Sequence, residues 1–135
     1  MRAHLETDLQ DSLRAILSER KGVRLAILFG SRASGLASPQ SDLDIAVQMA
    51  TPMGAVEKIA LIDTLAAATG LPIDLIDLKQ VGEPLLGQIL KNGIRLLGSD
   101  TDYAALLTRH LFDEADFLPY RRRILAERRQ AWIGK

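Results

Sequence analysis

The chain has 135 residues, enough for one domain around one core. Its 17 basic and 17 acidic side chains balance, so no bulk field holds a nucleic acid backbone, and no direct nucleic acid binding is expected. The lack of cysteine excludes disulfides, thiolate metal sites and a cysteine nucleophile, and fits a reducing cytoplasm; no apolar run is long enough to span a bilayer, and the acidic start MRAHLETDLQDSL does not look like a secretion signal.

Leu5, Leu9, Leu13, Ile16 and Leu17 form a helical stripe over residues 4–20, ended by Gly22. VRLAILF, 23–29, has the length and composition of a strand. Residues 30–41 read as a loop whose start could open a short helix. LDIAVQ, 43–48, is the second strand. A helix follows from about Ala55 to Ala68, with Val56, Ile59, Ile62 and Leu65 expected on one face and Gly70 as its C-cap. PIDLIDL, 72–78, is a third strand that Pro72 can open. Pro84 suits a first helical turn, and that helix runs to Asn92-Gly93. IRLL, 94–97, closes the strands, and two helices separated by Pro119 are expected from Thr101 onward. The order predicts an α/β (α+β) domain over residues 1–135, a small sheet flanked by helices, with a core at about 23–97 and a helical extension at about 101–135.

Asp42 and Asp44 stand two residues apart at the head of the second strand, so both project from one face, while Leu43, Ile45 and Val47 project from the other into the core. Two like charges on one face repel, and a divalent cation removes that cost. Mg²⁺ favours one or two carboxylates together with substrate phosphates, so the pair fits a Mg²⁺ platform for a phosphorylated substrate. The third strand offers Asp74 and Asp77 on opposite faces. Alternation cannot choose between them, because Ile73, Leu75, Ile76 and Leu78 make both faces apolar. A strand-end aspartate in water is the bland alternative for either.

Gly30 and Ser31 end the first strand. Glycine lets backbone approach a phosphate, Ser31 adds a hydroxyl, and Arg32 adds a guanidinium suited to phosphate. By itself a Gly-Ser pair marks only a turn. Its meaning comes from the ten residues that separate it from Asp42-Leu43-Asp44, which can bring a phosphate cradle beside a metal platform.

That pattern resembles the signature of the polymerase-beta-like nucleotidyltransferase superfamily, and the short form is similar to its minimal nucleotidyltransferase (MNT) family. The resemblance covers about residues 23–97. It implies that Asp42, Asp44 and Asp74 form the catalytic, metal-holding triad, with Asp74 preferred over Asp77 as the first aspartate of the third strand. It further implies two Mg²⁺ ions, ATP as substrate, and Gly30, Ser31 and Arg32 as nucleotide-binding residues. The choice of ATP rests on the resemblance, since nothing near these motifs reads as an adenine code. The segment YAALLTRHLFDEADFLPYRRRIL looks like that of MntA-type antitoxins of HEPN/MNT (type VII) toxin–antitoxin systems. This second likeness implies a cytoplasmic antitoxin that transfers AMP to a tyrosine of a cognate HEPN ribonuclease toxin, in a hetero-oligomer with it. The chain carries no toxin motif of its own, because neither His4 nor His110 follows an arginine at the required spacing; both histidines read as surface or cap residues.

Two alternatives remain at this level: the same chemistry on a small-molecule hydroxyl such as an aminoglycoside, and a non-catalytic antitoxin that acts by binding alone. The little chain left after the core leaves small room for a domain that grips a small acceptor, which favours one brought by a protein. The run RRRILAERR concentrates charge at Arg121, Arg122, Arg123, Arg128 and Arg129. It is either a solvated helix face or a surface that docks the toxin. A face made of Phe117, Tyr120, Ile124 and Ala131, with Trp132 at its edge, would leave Arg121, Arg122, Arg128 and Arg129 largely outward.

Overall fold

The computed structural model describes residues 2–115, with side chains from Thr7 onward. The expected second C-terminal helix, with its apolar face at Phe117, Tyr120, Ile124 and Ala131, and the arginines at 121–129 fall outside the described residues. Within them the chain runs α1 (Arg2–Glu19), β1 (Val23–Phe29), α2 (Ser31–Ser34), β2 (Leu43–Met49), α3 (Ala55–Thr69), β3 (Ile73–Asp77), α4 (Leu85–Asn92) and β4 (Ile94–Leu97). A further helix, α5, occupies 100–115.

The four strands form one mixed sheet in the order β3-β2-β1-β4. β1 pairs antiparallel with β2 and with β4, and β2 pairs parallel with β3. The parallel pair needs a crossover, which α3 supplies. Gly70 ends α3 at φ 71°, donating its N–H to the Ala66 carbonyl at 2.8 Å. The peptide bond before Pro84 is cis, and Pro84 caps α4.

Strand alternation divides the interior into two apolar layers. On one face Ala26, Leu28, Leu43, Ile45, Val47, Leu75 and Leu96 pack with Leu13 and Leu17 of α1 and Leu61 and Leu65 of α3. On the other, Leu25, Ile27 and Ala46 pack with Leu78, Leu86 and Ile89, and with Leu106 of α5. Fully burying one such aliphatic side chain stabilises the fold by about 1.5–3 kcal/mol. The sheet is therefore covered on both sides, not only on the face of Leu43, Ile45 and Val47.

Of the face expected of α3, Ile62 and Leu65 pack inward, and Leu61 joins them in place of Val56 and Ile59. Leu61 and Leu65 are buried, whereas Val56 and Ile59 are 82% and 58% exposed. AVEKIALIDTLAAAT is apolar nearly all round, so its periodicity does not define one stripe, and packing against the sheet chose the face.

His110 is no surface or cap residue. It sits half-buried between α5 and the start of α4, where its Nδ1 meets Glu83 and its Nε2 lies 3.4 Å from a Glu114 oxygen. The preceding residue, Arg109, donates to the carbonyls of Leu78 (2.6 Å) and Val81 (2.9 Å) and so pins the β3–α4 connection.

Candidate functional site

β1 ends at Phe29, which pairs with Asp44 across the sheet. The next residue, Gly30, takes φ 73° and ψ −157°, a region open essentially to glycine alone. Space demands glycine as well as dihedrals. A Cβ at position 30 would lie 2.1 Å from Oδ2 of Asp44 and 3.0 Å from its Cγ. The backbone at the Gly-Ser turn and the Asp44 carboxylate are thus in direct apposition, as the spacing of the two motifs led one to expect. From here α2 starts, and the N–H groups of Ser31 and Arg32, at its first turn, have no intrahelical acceptor.

The loop from α2 to β2 is held by Arg32. Its Nε donates to the Ser41 carbonyl (3.2 Å), and its Nη2 reaches the carbonyls of Ser38 (3.3 Å), Pro39 (3.3 Å) and Ser41 (3.1 Å). Ser38 and Ser41 close the same turn, Ser38 N–H donating to the Ser41 hydroxyl at 2.9 Å and Ser41 N–H to the Ser38 carbonyl at 3.1 Å. Two of the three guanidinium nitrogens therefore hold the loop that delivers Asp42, a use of Arg32 different from the phosphate contact expected of it.

Asp42 stands just before β2 and is exposed, while Asp44 is half-buried inside the strand. The entry of β2 is tied to β3 by the Leu43 N–H, which donates to the Pro72 carbonyl at 2.8 Å. That bond sets the parallel register in which Asp44 pairs with Asp74 and Val47 with Asp77. Paired residues of neighbouring strands share a face. Asp74 therefore stands beside Asp44. Asp77 faces the opposite side, where its Oδ1 accepts the Lys79 N–H at 2.9 Å and caps the end of the strand. The structure brings Gly30, Asp42, Asp44 and Asp74 together and leaves Asp77 out.

The electrostatics record this crowding. Burial pushes the Asp44 carboxyl above its ordinary value, and the charges of Asp74 and Asp42, with a hydrogen bond to the Asp74 side chain, push it the same way. Crowded carboxyl groups of like charge repel, and a cation set among them removes that repulsion. Among the described residues no three His, Cys, Asp or Glu side chains stand as a ready-made cage. Mg²⁺ does not require one, since it binds through one or two carboxylates and fills its shell with phosphate oxygens and water. The oxygen-only donor set and the raised Asp44 carboxyl fit that ion.

An open groove of about 350 Å³ adjoins the site, lined by Phe29, Gly30, Ser34, Leu85, Gln88 and Asn92. No motif pointed to it. The available signal was the four-residue spacing of two amides, Gln88 and Asn92, on the exposed side of a short helix.

The chain is similar to known proteins in sequence and in fold. Over 80 residues the chain is 34% identical to the protein adenylyltransferase MntA of Shewanella oneidensis, a match covering 59% of this chain and 58% of that relative, so the similarity spans little more than half of the relative's length. A crystal structure of a toxin–antitoxin with AMP-PNP superposes with a TM-score of 0.77 at 25% identity, covering 87% of this chain and 96% of that one. The complex of a tri-AMPylated Shewanella oneidensis HEPN toxin with an MNT antitoxin contains the same fold, with a TM-score of 0.73 at 23% identity over 90% of this chain and 97% of that one. Residues 11–102, which carry all four strands, the Gly-Ser turn and every aspartate of the site, match the family described as Polymerase beta, Nucleotidyltransferase, and the chain belongs to that family.

Proposed function

We propose that this protein is an antitoxin that transfers AMP from ATP to a tyrosine hydroxyl of a cognate HEPN ribonuclease toxin and thereby silences it. The observation that carries the chemistry is the meeting of Asp44 with both Gly30 and Asp74: one carboxylate touches the phosphate turn and the third acid at once. Support for the acceptor comes from the adenylyltransferase relative and from the AMPylated toxin in the similar complex.

In this reading Gly30 and Ser31 bind the β- and γ-phosphates of ATP, with backbone N–H groups of the first turn of α2 directed at them. Asp42, Asp44 and Asp74 hold Mg²⁺, two ions as the family resemblance implies; bound there, the metal would neutralise the triphosphate and stabilise the attacking and leaving oxygens of an in-line displacement. Asp74, exposed at the entrance of β3, orients the incoming phenol and accepts its proton on a carboxylate oxygen. The phenol oxygen bonds to the α-phosphorus, the bond from that phosphorus to the pyrophosphate oxygen breaks, and the products are a tyrosyl AMP ester and pyrophosphate. Arg32 keeps Asp42 in place by holding the loop before it. Residues 1–135 act as one nucleotidyltransferase unit extended by C-terminal helices, in the cytoplasm where ATP is available. No helix among the described residues is long and apolar enough to cross a membrane.

Intact-mass spectrometry of the toxin after incubation with this protein, ATP and Mg²⁺ tests the proposal. Mass increments of whole AMP units on a tyrosine, with parallel loss of ribonuclease activity, are expected. A toxin silenced with no mass gain would mean inhibition by binding alone and would overturn it.

A further inference from the structure

We propose that the groove between the end of β1 and the outer side of α4 is the base subsite of the nucleotide, and that Gln88 and Asn92 read adenine in it. This inference rests on the nucleotidyl-transfer reading above and adds how the enzyme chooses its nucleotide.

The groove and the carboxylate site are continuous, because Gly30 belongs to both. A nucleotide whose phosphates lie on the Gly-Ser turn can extend its base along Phe29 toward α4. The volume of about 350 Å³ falls in the range of small-ligand pockets. None of the six lining residues is charged, so the groove does not suit a phosphate but does suit an uncharged heteroaromatic ring. Phe29 and Leu85, both half-buried against the second apolar layer, provide apolar walls.

The polar groups have a regular placement. Leu85, Gln88 and Asn92 follow at spacings of three and four, so they form one stripe along α4. The adjoining side of that helix buries Leu86 and Ile89, which fixes its rotation and leaves the stripe along the groove. Gln88 and Asn92 are exposed, and each amide offers a donor and an acceptor side by side. Adenine presents the matching pair in its 6-amino group and N7, and glutamine and asparagine bind that edge bidentately. Guanine presents two acceptors there, of which an amide satisfies one. The groove therefore favours ATP over GTP through hydrogen bonds that the second base leaves unmade.

Calorimetric titration of the full chain separates this subsite from the phosphate site. The ligands are the Mg²⁺ complexes of a non-hydrolysable ATP analogue, the corresponding GTP analogue and tripolyphosphate. Substituting both Gln88→Ala and Asn92→Ala, at exposed positions that leave the apolar layer intact, should weaken the ATP analogue by about tenfold or more. The ATP-to-GTP preference should collapse, and tripolyphosphate affinity should stay unchanged. An ATP affinity within about twofold of wild type in the double variant would overturn the assignment, and so would a parallel loss of tripolyphosphate. If the wild-type chain itself binds neither the ATP analogue nor tripolyphosphate, the nucleotidyl-transfer reading fails along with it, which is a different result from selective failure at the groove.

Discussion

Replacing Gly30 by alanine adds a single methyl group, and its effect can be worked out from the structure. At φ 73° and ψ −157° any residue with a Cβ is strained, by about 1–3 kcal/mol. For a domain of this size that lowers the melting temperature by roughly 4–12 °C. The second cost falls on the chemistry. The new Cβ would sit 2.1 Å from Asp44 Oδ2, and ordinary contact begins at 3.4 Å, so the carboxylate or the turn must withdraw by roughly 1 Å. A displacement of that size in a reacting group costs about a hundredfold in rate, equivalent to about 2.7 kcal/mol of barrier. Gly70→Ala is the matched control. Gly70 is also left-handed, at φ 71°, but nothing lies within 4 Å of its added Cβ. Its strain is about 1 kcal/mol, with a comparable loss of melting temperature and unchanged transfer. Both variants are to be compared by differential scanning fluorimetry and by initial rates of AMP transfer to the toxin at saturating ATP. A Gly30→Ala enzyme that transfers AMP as fast as the Gly70→Ala enzyme would refute the apposition of turn and carboxylate as the basis of the site.

Asp44→Asn should abolish transfer yet raise the melting temperature at neutral pH, since it removes a charge that burial, Asp74 and Asp42 all disfavour. The sign follows from proton linkage: the folded protein binds the Asp44 proton more readily than the unfolded chain, so stability falls as pH rises from the ordinary carboxylate range through the raised value. The stabilisation by Asn should thus be full at neutral pH, shrink as the pH falls from the raised value to the ordinary carboxylate value, and be gone below it; melting curves across that interval check it, and a constant gain would contradict it. Asp74→Asn should lower the transfer rate by several orders of magnitude, whereas Asp77→Asn should leave it near wild type, because Asp77 faces away and serves to accept the Lys79 N–H. Paired rate measurements decide, and a sensitive Asp77 would mean that the register between β2 and β3 is wrong. Arg32→Lys keeps the charge but cannot span the carbonyls of Ser38, Pro39 and Ser41, so transfer should drop by about tenfold or more; recovery of near-wild-type rate in the lysine variant would mean that Arg32 acts through its charge, on phosphate, rather than through the loop.

Much of this protein is written in short-range pattern. The bounds of β1 and β4, the C-cap at Gly70 and the helix after Pro84 follow from residues adjacent in the chain, because local sterics and burial periodicity act over one or two turns. The pairing of Gly30-Ser31 with Asp42 and Asp44 was legible for a related reason: the connection is short enough that two motifs at neighbouring strand ends have to meet. Other features depend on which elements lie side by side, and no local period contains that. Alternation left Asp74 and Asp77 equivalent, and only the parallel register, set through the Leu43–Pro72 hydrogen bond and the α3 crossover, puts Asp74 beside Asp44. An all-round apolar α3 could bury either side, and the sheet took Leu61 and Leu65. The raised Asp44 carboxyl likewise depends on its burial in the folded sheet and on Asp74 of a neighbouring strand, which no local pattern around residues 42–44 contains. His110, which meets Glu83 27 positions before it, and the groove at Gln88 and Asn92, whose wall Phe29 stands 63 positions before Asn92, owe their surroundings to residues far away in the chain, so tertiary packing decided them.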